Sequence, residues 1–416
     1  MSDCNIVITG MGAVTPVGIG VENYWKGLLE GKCGIAQIEA FDTENLQVKR
    51  AGQVKDFNPK EYLSMRLIQD LEPYMQYAYV SAEEALEMSA LEEKDAEGNG
   101  CGCGDRVGVI MGTALCGMNV IGDTFTKLAV KNRAAGPKLL TKSMGNIAAA
   151  QFAINHKIKG PSMTVSTACS SGGDAITLAS MMIKAGAADA MVVMAGEAAL
   201  NPPIIQSLTK TGALSKTGDS RPFDVERNGF VLGEGGGALI LESEEHAAKR
   251  GAKAYARLLG CANNTDAFNP VSPDPSGEGA ALCMRIALEN AGISPDCIDY
   301  VNMHGTATHM GDIAESNAIK LIFGDQGEQG THRVPVSSTK GMTGHMMGAG
   351  GVTEVIACIM AVNEGIIPAN AGCATLDPEC GLNVVLGENL KTEVRAAMSN
   401  ALGFGGQNSC VIVGKA

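Results

Sequence analysis

Aromatic side chains are scarce in this chain, with one Trp, 7 Tyr and 9 Phe among 416 residues. A core without them must be aliphatic and sulfur-rich, and 21 Met supply adaptable filler. The 13 cysteines are odd in number and scattered, which excludes a disulfide framework and predicts a reducing compartment. No uncharged apolar run reaches the length of a membrane span. An apolar strand is expected at residues 5–9, with no signal-peptide pattern before it, so a cytoplasmic protein is expected. Positive charge is also in deficit. With 32 Lys and Arg against 45 Asp and Glu, the net charge of −13 excludes a general nucleic-acid surface.

What is abundant is glycine, 53 residues, within a 45% hydrophobic chain. Short apolar runs alternate with periodic, alanine-rich segments. Strands are predicted at 5–9, 106–111, 162–166, 190–195, 237–241, 254–262, 300–304, 334–338, 397–400 and 410–414. Helices are predicted at Glu278–Ala291 and 353–364, among others. The alternation implies an α/β protein with largely parallel, doubly covered sheets. Element order repeats on either side of about Gly251, so an internal duplication is expected, with halves at 1–251 and 252–416.

The stretch Thr164-Val-Ser-Thr-Ala-Cys169-Ser-Ser-Gly-Gly-Asp-Ala175 puts one cysteine between a strand and a small-residue helix over about 170–186. The helix dipole there favours thiolate, and unpaired N–H groups can hold an oxyanion. Two histidines have similar settings. Asp299-Tyr-Val-Asn-Met-His304-Gly-Thr-Ala-Thr308 ends a strand in a His-Gly step. Val334-Pro-Val-Ser-Ser-Thr-Lys340-Gly-Met-Thr-Gly-His345-Met-Met-Gly-Ala-Gly350 runs from strand through turn and histidine to helix. Strand tips are where open α/β sheets place their chemistry, so a Cys-His-His site is expected. Metal ligation is the competing use, but close ligand spacing is missing. Cys101 and Cys103 sit in a glycine-rich stretch that reads as a flexible surface insertion. No metal is expected.

Seven motifs occur in the order of one family. They are Val7-Ile-Thr-Gly-Met-Gly-Ala-Val-Thr-Pro16, the Cys169 turn, Ser220-Arg-Pro-Phe-Asp224, Asn228-Gly-Phe-Val-Leu-Gly-Glu-Gly235, the His304 and His345 segments, and Ser399-Asn-Ala-Leu-Gly-Phe404-Gly-Gly-Gln-Asn408. The chain resembles the β-ketoacyl-acyl carrier protein synthases, elongating condensing enzymes of the thiolase-like superfamily, and among them synthase II. The resemblance implies a duplicated five-layered α-β-α-β-α fold with two mixed, mostly parallel sheets. It implies that Cys169 takes an acyl chain from acyl carrier protein, and that the enolate of a decarboxylated malonyl thioester attacks it to give a 3-oxoacyl chain in fatty acid elongation. His304 and His345 would hold the enolate oxygen. The N–H groups of Cys169 and Phe404 would hold the oxyanion, Lys340 and Glu354 would support the histidines, and Thr306 and Thr308 would bind the phosphopantetheine arm. Phe404 would gate the acyl chain. No resident cofactor is implied, because the pantetheine arrives on the carrier protein. A homodimer is implied, with residues 113–140 near the partner. The chain's acidity requires a local basic patch for the acidic carrier, with Lys127, Lys131, Arg133, Lys138, Lys210 and Lys216 as candidates.

The chain departs from the family at His309, Phe268-Asn269-Pro270 and Gln407, and residues 66–76 lack the family's basic residues. A polyketide or polyene ketosynthase shares the same three catalytic residues and stays open as an alternative. A non-catalytic chain-length subunit would have lost Cys169. A thiolase would need a second reactive cysteine, for which Cys410 is the candidate.

Overall fold

The computed structural model describes residues 4–94, 100–326 and 333–416. Residues 97–99 of the expected surface insertion, and His332, lie outside the described residues. Ten strands carry the architecture. In the first half they are β1 (Ile6–Thr15), β2 (Val107–Gly112), β3 (Ser162–Val165), β4 (Ala190–Glu197) and β5 (Gly235–Ser243). In the second they are β6 (Ala256–Thr265), β7 (Tyr300–Asn302), β8 (Val336–Ser337), β9 (Ala396–Gly403) and β10 (Gln407–Gly414).

The spatial order is β3-β2-β4-β5-β1 in one half and β8-β7-β9-β10-β6 in the other. The second order is the first with five added to each label, so the two halves repeat one topology. Within each half two neighbouring pairs are parallel and two antiparallel. The antiparallel share exceeds the sequence expectation because β9 and β10 form a tight hairpin through residues 404–406, which strand–helix alternation does not reveal. The two expected sheets are joined edge to edge, where Ile6, Val7 and Ile8 of β1 face Leu258, Arg257 and Ala256 of β6.

Side chains alternate across each sheet with period two. Met191, Val193 and Ala195 face the central core, while Ala190, Val192 and Met194 face the outer helix α1 (Pro73–Ser89). In the second half Val411 and Val413 face inward, while Cys410 and Ile412 face the outer helix α4 (Glu278–Ala291). Between the sheets lie α3 (Ser171–Lys184) and α6 (Gly350–Glu364), completing five layers. The remaining helices used below are α2 (Met118–Lys131) and α5 (His309–Phe323).

Glycine decides how closely the central helices approach. A Cβ on Gly172 would lie 2.8 Å from the Gly348 oxygen, and one on Gly351 would lie 2.7 Å from the Gly173 nitrogen. Each would collide with backbone. The small-residue starts of α3 and α6 are therefore a packing requirement that brings the two helix N-termini together.

Candidate functional site

Cys169 is the middle residue of a 3-10 turn, Ala168–Ser170, that links β3 to α3. The turn needs Ala168 at φ 52°, a left-handed conformation uncommon for a residue with a Cβ. Hydroxyls pin it: Ser170 Oγ donates to Asp174 Oδ2 at 2.9 Å, and Ser171 Oγ accepts from the Thr167 N–H at 2.9 Å.

His345 precedes a matching turn, Met347–Ala349, at the start of α6. Its N–H donates to Val231 O at 2.7 Å, and its own carbonyl accepts from Gly233 N–H at 2.8 Å. The imidazole Nε2 lies 3.0 Å from Cys169 Sγ. The ring stands edge-on to Phe230 at 5.2 Å and to His304 at 5.1 Å between centroids.

His304 sits two residues beyond β7. The N–H groups of His304 and Gly305 donate to Glu315 Oε1 and Oε2 at 2.8 and 2.9 Å. One helical turn earlier, Asp312 accepts from the N–H groups of Phe223 and Ala307 at 2.8 and 3.1 Å and lies beside Arg227. Two buried acids on α5 thus hold the histidine loop. Neither stood out in the sequence, although Asp312 and Glu315 share a face with Ala318 and Ile319, an acid pattern on a buried stripe.

The electrostatics of the site are dominated by burial. It pushes the Cys169 thiol up to about 12, against the opposing influence of the Lys340 ammonium and a hydrogen bond from the Phe404 N–H. Burial therefore opposes the thiolate that the helix dipole was expected to favour, and the thiol is the form that faces the imidazole. Burial, then the Lys340 ammonium, holds His345 well below the usual imidazole range, and the same causes together with His345 act on His304. Both histidines are neutral near pH 7. Lys340 Nζ is bonded to Glu354 Oε1, and both side chains are buried.

A cavity of ≈ 350 Å³ opens onto these groups, lined by Cys169, His304, His345, Phe404, Thr306 and Thr308 among others. Thr308 also caps α5, accepting from Gly311 N–H at 3.2 Å, and its hydroxyl lies 3.0 Å from that of Thr306. Phe404 is half-buried and is followed by Gly405 and Gly406 at φ 89° and 71°, conformations that only glycine adopts readily. Gly405 N–H donates to Pro270 O, and Asp266 N–H to Gly406 O, so the Phe268-Asn269-Pro270 departure lies against the Phe404 loop. Gln407 pairs with Thr265 at the hairpin end.

Cys169, His304 and His345 place three ligand atoms within 4.8 Å of one another, a donor set suited to a soft divalent cation. His309, Asp377 and Glu379 form a second group, but Arg227 is bonded to Asp377 and Lys320 to the Glu379 carbonyl, which opposes a further cation. Cys410 belongs to the outer core of the second half, on the face of β10 away from α3 and α6, and lies far from a thiolase-like role. Lys131, Arg133, Lys210 and Lys216 are exposed, whereas Lys138 is paired with Asp70 at 2.7 Å.

Residues 3–247 match the beta-ketoacyl synthase N-terminal domain, and residues 255–374 match its C-terminal domain. The 3-oxoacyl-[acyl-carrier-protein] synthase 2 of Vibrio cholerae is 39% identical over 421 residues, covering 99% of each chain. Among solved structures, the ishigamide ketosynthase/chain length factor superposes with a TM-score of 0.91 at 31% identity, covering 99% of both chains. A ketosynthase solved with a type II PKS acyl-carrier protein and bound to the hexaketide gives 0.87 at 30%, over 99% of this chain and 100% of that one. With two domains matched in order, and a relative similar along its whole length, this chain belongs to the β-ketoacyl synthase family.

Proposed function

We propose that the protein catalyses decarboxylative condensation of a Cys169-bound acyl chain with a malonyl thioester on acyl carrier protein, releasing carbon dioxide and a 3-oxoacyl-acyl carrier protein in fatty acid elongation. The observation that carries this reading is the 3.0 Å approach of His345 Nε2 to the Cys169 thiol. As sulfur attacks the acyl thioester carbon, its proton passes to His345 Nε2. The oxyanion meets the N–H groups of Cys169 and Phe404. Collapse expels the pantetheine sulfur, which takes the proton back, leaving acyl-Cys169 and a neutral imidazole.

In the second stage the malonyl carboxylate leaves as carbon dioxide. The electron pair of the broken bond forms an enolate, whose oxygen accepts from the neutral imidazole of His304 and from that of His345, which by then carries its proton on Nε2 rather than Nδ1. The enolate carbon then attacks acyl-Cys169 and expels its sulfur as a thiolate, which takes one proton from solvent to restore the thiol. No base is needed, because no C–H bond breaks. Lys340 and Glu354 support the neutral histidines, Thr306 and Thr308 hold the pantetheine arm, and Phe404 gates the cavity.

The acceptor and donor both arrive on carrier protein, for which the exposed Lys131, Arg133, Lys210 and Lys216 offer positive charge. The protein works as a homodimer in the cytoplasm. On α2, Met118, Ile121, Phe125 and Leu128 fall at helical spacing and are all exposed, an apolar stripe that a second copy would cover. Strand β3, at the end of the sheet, offers an unpaired edge among the described residues. No helix among the described residues is long and apolar enough to cross a membrane.

Intact-protein mass spectrometry with a panel of acyl-acyl carrier proteins, followed by malonyl-acyl carrier protein, tests the reading. An acyl adduct on Cys169 that disappears as 3-oxoacyl product forms is the expected result; no adduct with any chain contradicts it. The likeness to ketosynthases of polyketide-type systems supports a second reading, in which one chain is extended repeatedly without reduction. Accumulation of poly-3-oxo products in the same assay would select it.

A further inference from the structure

Asp174 lies buried in the first turn of α3, just beyond the nucleophile. The condensation chemistry gives it no task. Its carboxylate meets hydroxyls: Thr167 Oγ1 donates to Oδ2 at 2.5 Å, and Ser170 Oγ donates to the same oxygen at 2.9 Å. These two residues flank Ala168 and Cys169, so one carboxylate oxygen holds both ends of the left-handed turn. Oδ1 has no hydrogen-bond partner among the described residues. Burial, the largest influence, raises the carboxyl, and the polar side chains of Thr167, Ser170, Asn263 and Ser409 act against it. Asn263 and Ser409 are cross-strand neighbours on β6 and β10, in the other half.

Those strands lead to the other side of the oxyanion site. Ser409 also pairs with Ala401 of β9, which runs on through Gly403 to Phe404. There the halves touch. A Cβ on Gly403 would lie 2.9 Å from Thr167 O and 3.2 Å from the Cys169 nitrogen. The two N–H groups assigned to the oxyanion, those of Cys169 and Phe404, thus come from different halves. Their spacing depends on how the halves are held together at this point. A buried carboxylate is costly unless its acceptors are used, and this one is used to hold the turn.

We propose that Asp174 is a positioning residue that fixes the Cys169 turn against the β9–β10 hairpin and so sets the spacing of the two oxyanion donors, an inference that rests on the acyl-transfer reading above. The consequence is selective. An acyl thioester develops an oxyanion as sulfur attacks, whereas iodoacetamide loses iodide from a saturated carbon and develops none. Malonyl decarboxylation is assigned to His304 and His345 and does not use these two donors.

The test measures single-turnover acylation of Cys169 by acyl-acyl carrier protein, and its alkylation by iodoacetamide, in wild type, Asp174→Ala and Asp174→Asn. The acylation-to-alkylation ratio is expected to fall about 30-fold in Asp174→Ala, because donors shifted by a fraction of an ångström lose much of their effect. An asparagine keeps one oxygen for the Thr167 and Ser170 hydroxyls, so its ratio should fall only about threefold. Carbon dioxide release from malonyl-acyl carrier protein should stay within about threefold of wild type in both variants. Equal losses in acylation and alkylation, an unchanged ratio, or a parallel loss of decarboxylation each overturn the inference. Should Asp174→Ala not fold, Ser170→Ala decides: it removes one of the two hydroxyls, and its ratio should fall about fivefold, an unchanged ratio being the contrary result. Failure of wild type to take any acyl chain would instead overturn the acyl-transfer reading.

Discussion

In the first half the turn Ala168–Ser170 enters α3 with its first residue at φ 52°; in the second, Met347–Ala349 enters α6 with its first residue at φ 47°. The middle residues of the two turns are Cys169 and Gly348. One carries the thiol and the other carries no side chain, and packing shows why. A Cβ on Gly348 would lie 2.7 Å from the Ala114 nitrogen. Two equivalent helix starts face each other, and only one has room for a side chain. The second half places its chemistry beside the turn instead, on His345 and on His304 beyond β7.

The edges of the sheet differ in the same way. The outer side of β8 is covered, with Val336 N–H bonded to Asn383 O and Val385 N–H to Val336 O. Its counterpart β3 has no second neighbour among the described residues. The two halves thus share one topology; in the proposed reading the first carries covalent attachment and association, and the second holds the developing negative charge.

The sharpest way to break this comparison is to move the thiol. Cys169→Ala should lower condensation by about 10³-fold or more, and adding Gly348→Cys should not restore it. Gly348→Ala alone should cost about 1–3 kcal/mol in urea unfolding, through overpacking against the 113–116 loop. Glu315→Gln should slow malonyl decarboxylation about 10-fold to 100-fold by misplacing His304, with a smaller loss in acylation by rapid quench.

Replacement of Lys340 by Met removes an ammonium that, after burial, helps hold both histidines below the usual imidazole range. Their protonation then occurs at higher pH, so the acid limb of the kcat/KM profile should move to higher pH; an unmoved limb would separate Lys340 from the histidine charge state. The smallest catalytic effect is expected at the association face. Phe125→Asp should convert a dimer to a monomer in sedimentation, and a wild-type protein already monomeric at micromolar concentration would remove the comparison of edges.

Much of this was legible in the sequence, because its signals were local. The Glu278–Ala291 helix has the expected bounds, and the strand beginning at Ala190 is longer than expected by two residues. Period and glycine punctuation report on single segments. The structure also brings Cys169, His304 and His345 together, as their strand-tip positions implied. The acids Asp312 and Glu315 were not legible, since they bond to backbone N–H groups distant in sequence or on another element. The buried thiol was missed for a related reason. A helix start is visible in the sequence, whereas the depth of burial that opposes its dipole is a property of the packed halves.

The division of labour is tested most directly by carbon dioxide release from malonyl-acyl carrier protein by the Cys169→Ala enzyme. Because decarboxylation is assigned to His304 and His345, the variant should release carbon dioxide while forming no acyl adduct and no 3-oxoacyl product. Absence of release, with His304 and His345 intact and the protein folded, would contradict the assignment of that step to the second half.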